Sequence, residues 1–168
     1  MTTMILIALG ANLNSTAGTP AETIASALLA LGRNGVKIEA VSAFYATSAW
    51  PDPADPPYVN AVARIDTAYS PEELMQVLHK IESMYGRTRG TKNAPRTLDL
   101  DLLDYRARVE KGPPTLPHPR LAERAFVLIP LSDVAPSWRH PVTGRSVVDL
   151  IAALPEESSA AVVRLNRD

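Results

Sequence analysis

The chain has 168 residues, 46% of them hydrophobic, a formal net charge of -1 and no cysteine. That length predicts a single domain over residues 1–168 with a true core, and the near-neutral balance excludes a general electrostatic attraction to nucleic acid. Without cysteine there are no disulfides, thiolate nucleophiles or cysteine-held metals, so any metal would be held by oxygen or histidine.

Residues 4–9 form a short apolar run with no basic segment before it and no small-residue cleavage pattern after it, which reads as a first strand and not an export signal. No apolar run approaches the ~20 residues of a membrane span. The expectation is a cytoplasmic monomer with no membrane or nucleic-acid partner. Gly10-Ala11-Asn12 reads as the turn that closes this strand. Thr19-Pro20-Ala21-Glu22 is a capping box with proline at the first helical position, followed at helical spacing by Ile24, Leu28 and Leu31 and stopped by Gly32 and Gly35. Residues 36–46 and 58–69, rich in β-branched and aromatic side chains, predict two strands joined by a long surface loop over 47–57.

Ser70-Pro71-Glu72-Glu73 repeats the helix-start signature, and Leu74, Leu78, Ile81 and Tyr85 make one apolar stripe ending at Gly86. A strand follows over 97–104, then helices near 124–134 and 146–154 and a last strand over 162–165. The order strand, helix, strand, strand, helix, strand is that of an α+β, ferredoxin-like split βαβ sandwich with an antiparallel-rich sheet, to which the C-terminal third adds a helical elaboration.

The chemistry concentrates around Pro95-Arg96-Thr97-Leu98-Asp99-Leu100-Asp101-Leu102-Leu103. Alternation on a strand puts Asp99 and Asp101 on one face and the leucines on the other, with alternate Cα atoms about 6.6 Å apart. Two such carboxylates suit magnesium, whose octahedron is completed by phosphate oxygens and water. The loop before them gathers Arg87, Arg89, Lys92 and Arg96 with no acidic residue between Glu82 and Asp99, a composition matched to a polyanion. His118 stands between two prolines that fix its backbone. Tyr58 and Asn60 share a strand face and offer a ring and an amide to a flat heterocycle, while pattern alone reads Phe126 as core.

With those residues in view, the chain resembles the 6-hydroxymethyl-7,8-dihydropterin pyrophosphokinase family over nearly its whole length. The resemblance runs from Leu9-Gly10-Ala11-Asn12-Leu13 through Phe44-Tyr45-x-Thr47 and Tyr58-Val59-Asn60 to Pro117-His118 and Arg124-Ala125-Phe126, and is densest at residues 94–103. It implies a ferredoxin-like fold and transfer of pyrophosphate from ATP to the pterin alcohol, giving AMP. It also implies that Asp99 and Asp101 hold two Mg2+ ions. Arg87, Arg96, His118 and Arg124 would contact the phosphates, with Glu82 near the nucleotide and Arg89 on a closing loop. Thr47, Tyr58, Asn60 and Phe126 would form the pterin pocket, Phe126 stacking on the bicyclic ring. Catalysis would rest on Arg87, Arg96, Asp99 and Asp101.

Two positions depart from the family pattern: Asn93 stands where many members have tryptophan, and His79 where glutamine is frequent near the adenine. Trp50 is a candidate replacement for the missing aromatic lid. The rival reading is a non-catalytic ferredoxin-like module that binds single-stranded RNA or a nucleotide.

Overall fold

The computed structural model of the chain describes residues 4–48, 54, 57–86 and 97–165. β1 (Ile5–Ala11), α1 (Pro20–Arg33), β2 (Lys37–Val41), β3 (Tyr45–Thr47), β4 (Tyr58–Asp66), α2 (Pro71–Met84) and β5 (Asp99–Tyr105) follow in chain order. They are succeeded by α3 (Ala125–Val134), α4 (Val147–Ala152), α5 (Glu156–Ala160) and β6 (Val163–Arg164). β1 pairs antiparallel with β4 on one side and β5 on the other, and β2 and β3 both pair with the far edge of β4, with β6 added outside β3. This is the ferredoxin-like arrangement expected from the sequence.

Both principal helices start as the sequence predicts. Thr19 and Ser70 each accept the amide of the glutamate three residues on, and each glutamate reaches back to the cap amide. Those hydrogen bonds hold the Glu22 and Glu73 carboxyls below the usual range. α2 ends before Gly86, whose φ of 80° is a left-handed exit. α1, however, runs through Gly32 to Arg33, and the reversal is made at Gly35.

Several strand boundaries differ from expectation, β5 and β6 by one or two residues and others by more. Gly10 and Ala11 are inside β1 and not a turn, because their backbones pair with Asn60 and Val59 of β4. The segment 36–46 is broken at Ser42, where the Ser42 hydroxyl accepts the Val62 amide at 2.9 Å and so replaces a backbone carbonyl in the ladder. β4 stops at Asp66, whose Oδ1 takes the Thr67 amide, and the Thr67 hydroxyl turns to the Gly35 carbonyl. The C-terminal helix near 146–154 is shorter than expected, ending at Ala152, with α5 following it.

The sheet separates two apolar layers. Ile5, Ile7, Leu9, Ala61, Ala63, Ile65, Leu98, Leu100 and Leu102 pack against Ile24, Leu31, Leu74, Leu78 and Ile81 of α1 and α2. On the opposite face Leu6, Val62 and Leu103 pack against Leu121, Val127, Leu128, Leu131, Trp138 and Leu150. α3 is fastened there by polar contacts: Asp133 Oδ2 accepts from the Tyr45 hydroxyl at 2.8 Å and the Ala43 amide at 3.1 Å, and Arg64 donates to the Val134 carbonyl at 2.8 Å. Burial, then the Asp133 carboxylate, push the Tyr45 phenol up to about 12, so this donor keeps its proton at neutral pH. Among the described residues, no helix is long and apolar enough to cross a membrane.

Within the second layer Asp104 is fully buried and accepts from the Trp138 indole at 2.8 Å and the Ala107 amide at 3.0 Å. Burial raises its carboxyl above the usual range despite these donors. Trp138→Phe removes one donor and leaves the acid under-satisfied. A loss of about 2 kcal/mol is expected in urea unfolding, and an unchanged midpoint would contradict the role given to this hydrogen bond.

Candidate active site

The α3 face of the sheet tapers. Along β1 the residues on that face are Leu6, Ala8 and Gly10, while Ile5, Ile7, Leu9 and Ala11 face α1 and α2. Apolar packing therefore fills the Leu6 end, while at the other end β1 carries no side chain at Gly10. The antiparallel register sets Gly10 opposite Asp99 on one flank and Asn60 on the other, and Ala8 opposite Asp101 and Val62. Asn60 in turn pairs with Tyr45, and Tyr58 with Thr47. One rung of the sheet thus reads Asp99, Gly10, Asn60, Tyr45, and spans about 10 Å from acid to amide at two interstrand spacings.

Asp99 and Asp101 lie on the face opposite Leu100 and Leu102, as the alternation predicts. Their strand is secured along its outer edge. The buried Glu82 of α2 accepts the Leu100 amide at 2.8 Å, the peptide between the two aspartates, and the His118 amide donates to the Leu103 carbonyl at 2.8 Å. Glu82 therefore fixes the Asp-x-Asp backbone, a structural contact that the sequence did not reveal. Among the described residues no cluster of three or more His, Cys, Asp or Glu forms a cage. The carboxylates at the taper are a pair, an all-oxygen donor set facing residues without bulk. Such a set fits a hard divalent cation that takes its remaining ligands from phosphate and water.

His118 follows Leu116 and Pro117 at the edge of β5, near enough to Asp99 and Arg124 to feel both charges. Burial, followed by the Arg124 charge, lowers its pKa below the usual 6.5; Asp99 opposes the shift and Arg120 adds to it. Its Nδ1 accepts the Arg120 amide at 3.2 Å, which leaves the proton of the neutral ring on Nε2. Arg124 precedes α3 and places its guanidinium 5.6 Å from the centre of the Phe126 ring. Phe126 is half-buried against the second apolar layer, so part of the ring is core, as pattern suggested, and part is exposed. The Thr47 and Thr97 hydroxyls are buried with no hydrogen-bond partner among the described residues, one at the end of β3 and the other just before β5. Arg87, Arg89, Lys92, Asn93 and Arg96, as well as Trp50, lie outside the described residues.

The structure thus gathers Asp99, Asp101, Tyr58, Asn60 and Thr47 on one sheet face, with Phe126, Arg124 and His118 brought up by the segment leading into α3. A model of the family described as 7,8-dihydro-6-hydroxymethylpterin-pyrophosphokinase matches residues 6–136. The chain belongs to that family. It is 41% identical over 156 residues to the 2-amino-4-hydroxy-6-hydroxymethyldihydropteridine pyrophosphokinase of Pseudomonas aeruginosa, covering 91% of this chain and 93% of that one. It is 42% identical over 118 residues to the enzyme of the same name from Synechocystis, where the match spans 70% of this chain and 60% of the relative. A crystal structure of Plasmodium falciparum HPPK-DHPS superposes with a TM-score of 0.67 at 15% identity, over 90% of this chain and 44% of that longer one, which supports the fold.

The His118 assignment is open to nitrogen NMR of the ligand-free protein. A neutral ring protonated at Nε2 and titrating below 6.5 is expected; an Nδ1-protonated ring, or a midpoint above 6.5, would contradict it.

Proposed function

We propose that this chain transfers the pyrophosphoryl group of ATP to the hydroxymethyl oxygen of 6-hydroxymethyl-7,8-dihydropterin, a step of folate biosynthesis. One observation carries this reading: in a chain of the pterin pyrophosphokinase family, a single rung of the sheet holds an acid at one end and an amide suited to a heterocycle at the other, with a bare glycine between them. The pterin edge pairs with the Asn60 amide, its ring lies against Phe126 and Tyr58, and Thr47 walls the pocket. The hydroxymethyl group then points from the Asn60 side of the rung toward Asp99.

Asp99 and Asp101 are the residues that would hold Mg2+, two ions in this reading, and bound metal would neutralise the triphosphate and polarise the phosphoryl group under attack. His118, through its Nε2 proton, and Arg124 bind phosphate oxygens, and Arg87, Arg89 and Arg96 add charge from the sequence that precedes Asp99. The substrate hydroxyl attacks the β-phosphorus, the bond from that phosphorus to the α,β-bridging oxygen breaks, and AMP leaves with that oxygen. The proton of the hydroxyl passes to solvent. Such transfers need positioning and charge stabilisation more than covalent participation by the protein, which is why no side-chain nucleophile is assigned.

Chromatography of a mixture with ATP, magnesium and the pterin alcohol is expected to show AMP and pterin diphosphate. Formation of ADP, or no nucleotide turnover, would contradict the reaction. Asp99→Ala and Asp101→Ala are each expected to stay folded and lower turnover more than about a hundredfold, since metal-borne charge stabilisation is worth several kcal/mol. Near-normal rates in either variant would remove the carboxylate pair from the mechanism.

A further inference from the structure

We infer that Gly10 is a positioning residue for the pterin subsite: its missing side chain is the space in which the Asn60 amide is held. A Cβ placed on Gly10 would stand 2.6 Å from Asn60 Oδ1 and 3.7 Å from Asn60 Cγ, with the nearest backbone atom, the Val59 carbonyl oxygen, at 3.8 Å. The first distance is below any real carbon–oxygen contact and the last is ordinary packing. Among the described residues a methyl group here collides with the Asn60 side chain alone, and the strand itself has no reason to move.

The same numbers show where the amide lies. Asn60 and Gly10 are direct partners in the ladder, so an oxygen that close to the Gly10 Cβ position leans off β4 and over β1, toward the rung's other end at Asp99. Gly10 is buried and is not among the glycines with positive φ, so its backbone conformation is open to alanine and the glycine is required for space alone. The other side of Asn60 in the ladder is occupied by Tyr45, tethered through its hydroxyl to Asp133. The amide is therefore bounded by a side chain on one flank and admitted by the absence of one on the other.

This inference rests on the assignment of Asn60 to pterin recognition, and the test separates the two. Binding of 6-hydroxymethylpterin is measured by fluorescence, in the presence of magnesium and α,β-methylene-ATP, for Gly10→Ala, Asn60→Ala and the double variant. Gly10→Ala is expected to fold with unchanged affinity for the ATP analogue and to lose pterin affinity about tenfold, the worth of one hydrogen bond. In the Asn60→Ala background the same methyl group is expected to change pterin affinity less than about twofold, because the atom it displaces is gone. The side-chain amide resonance of Asn60 is expected to shift in Gly10→Ala. Unchanged pterin affinity in Gly10→Ala, losses that multiply in the double variant, or failure of Gly10→Ala to fold would each overturn the inference. If Asn60→Ala alone leaves pterin affinity intact, the pterin pocket itself is misassigned and the inference falls with it.

Discussion

The antiparallel pairing of β1 with both β4 and β5 is the constraint on which the rest depends. It makes Ile5–Ala11 an interior strand, and it sets Gly10 between Asn60 and Asp99 without any loop having to place them. Side chains two apart on each strand then follow onto the same face, so Tyr58 joins Asn60 and Asp101 joins Asp99 by alternation alone. A one-residue slip of β5 against β1 would turn both acids toward α1 and α2 and expel Leu100 and Leu102 from the core. The buried leucines therefore enforce the register of the acids.

The remaining elements hold that rung rigid and covered. Glu82 ties the peptide between the aspartates from one side of the sheet, and the Leu116-Pro117-His118 segment closes the same edge further along. On the other side Asp133 and Arg64 secure the C-terminal half of α3 to β3 and β4, while Arg124, just before the helix, lies against the Phe126 ring at its start. The two apolar layers differ in their task. Among the described residues, the α1 and α2 side carries an apolar layer along the strands, whereas the apolar layer on the α3 side gathers around Leu6, Val62 and Leu103.

Much of this was legible in the sequence because it depends on local rules. Capping boxes at Thr19 and Ser70, the stripe on α2 and the alternation through Asp99 and Asp101 each follow from a few adjacent residues. The contacts that were not legible are those between segments distant in the chain. The pairs Tyr45 with Asp133, Asp104 with Trp138 and Glu82 with the Leu100 amide link residues that no periodicity connects. Gly10 departs from expectation for a different reason: glycine after an apolar run signals a turn, but here it continues the alternate positions Leu6, Ala8, Gly10, a decline in size along one face that admits the Asn60 amide. The Ser42 break is the converse case, a hydroxyl standing in for a carbonyl inside a segment whose composition reads as one strand.

A crystal structure of the chain with magnesium, α,β-methylene-ATP and 6-hydroxymethylpterin tests the central rung most directly. Metal density against Asp99 and Asp101, the pterin edge on the Asn60 amide and the hydroxymethyl group directed toward Asp99 are expected together. A pterin or triphosphate bound elsewhere on the molecule, with that rung bare, would contradict the assignment.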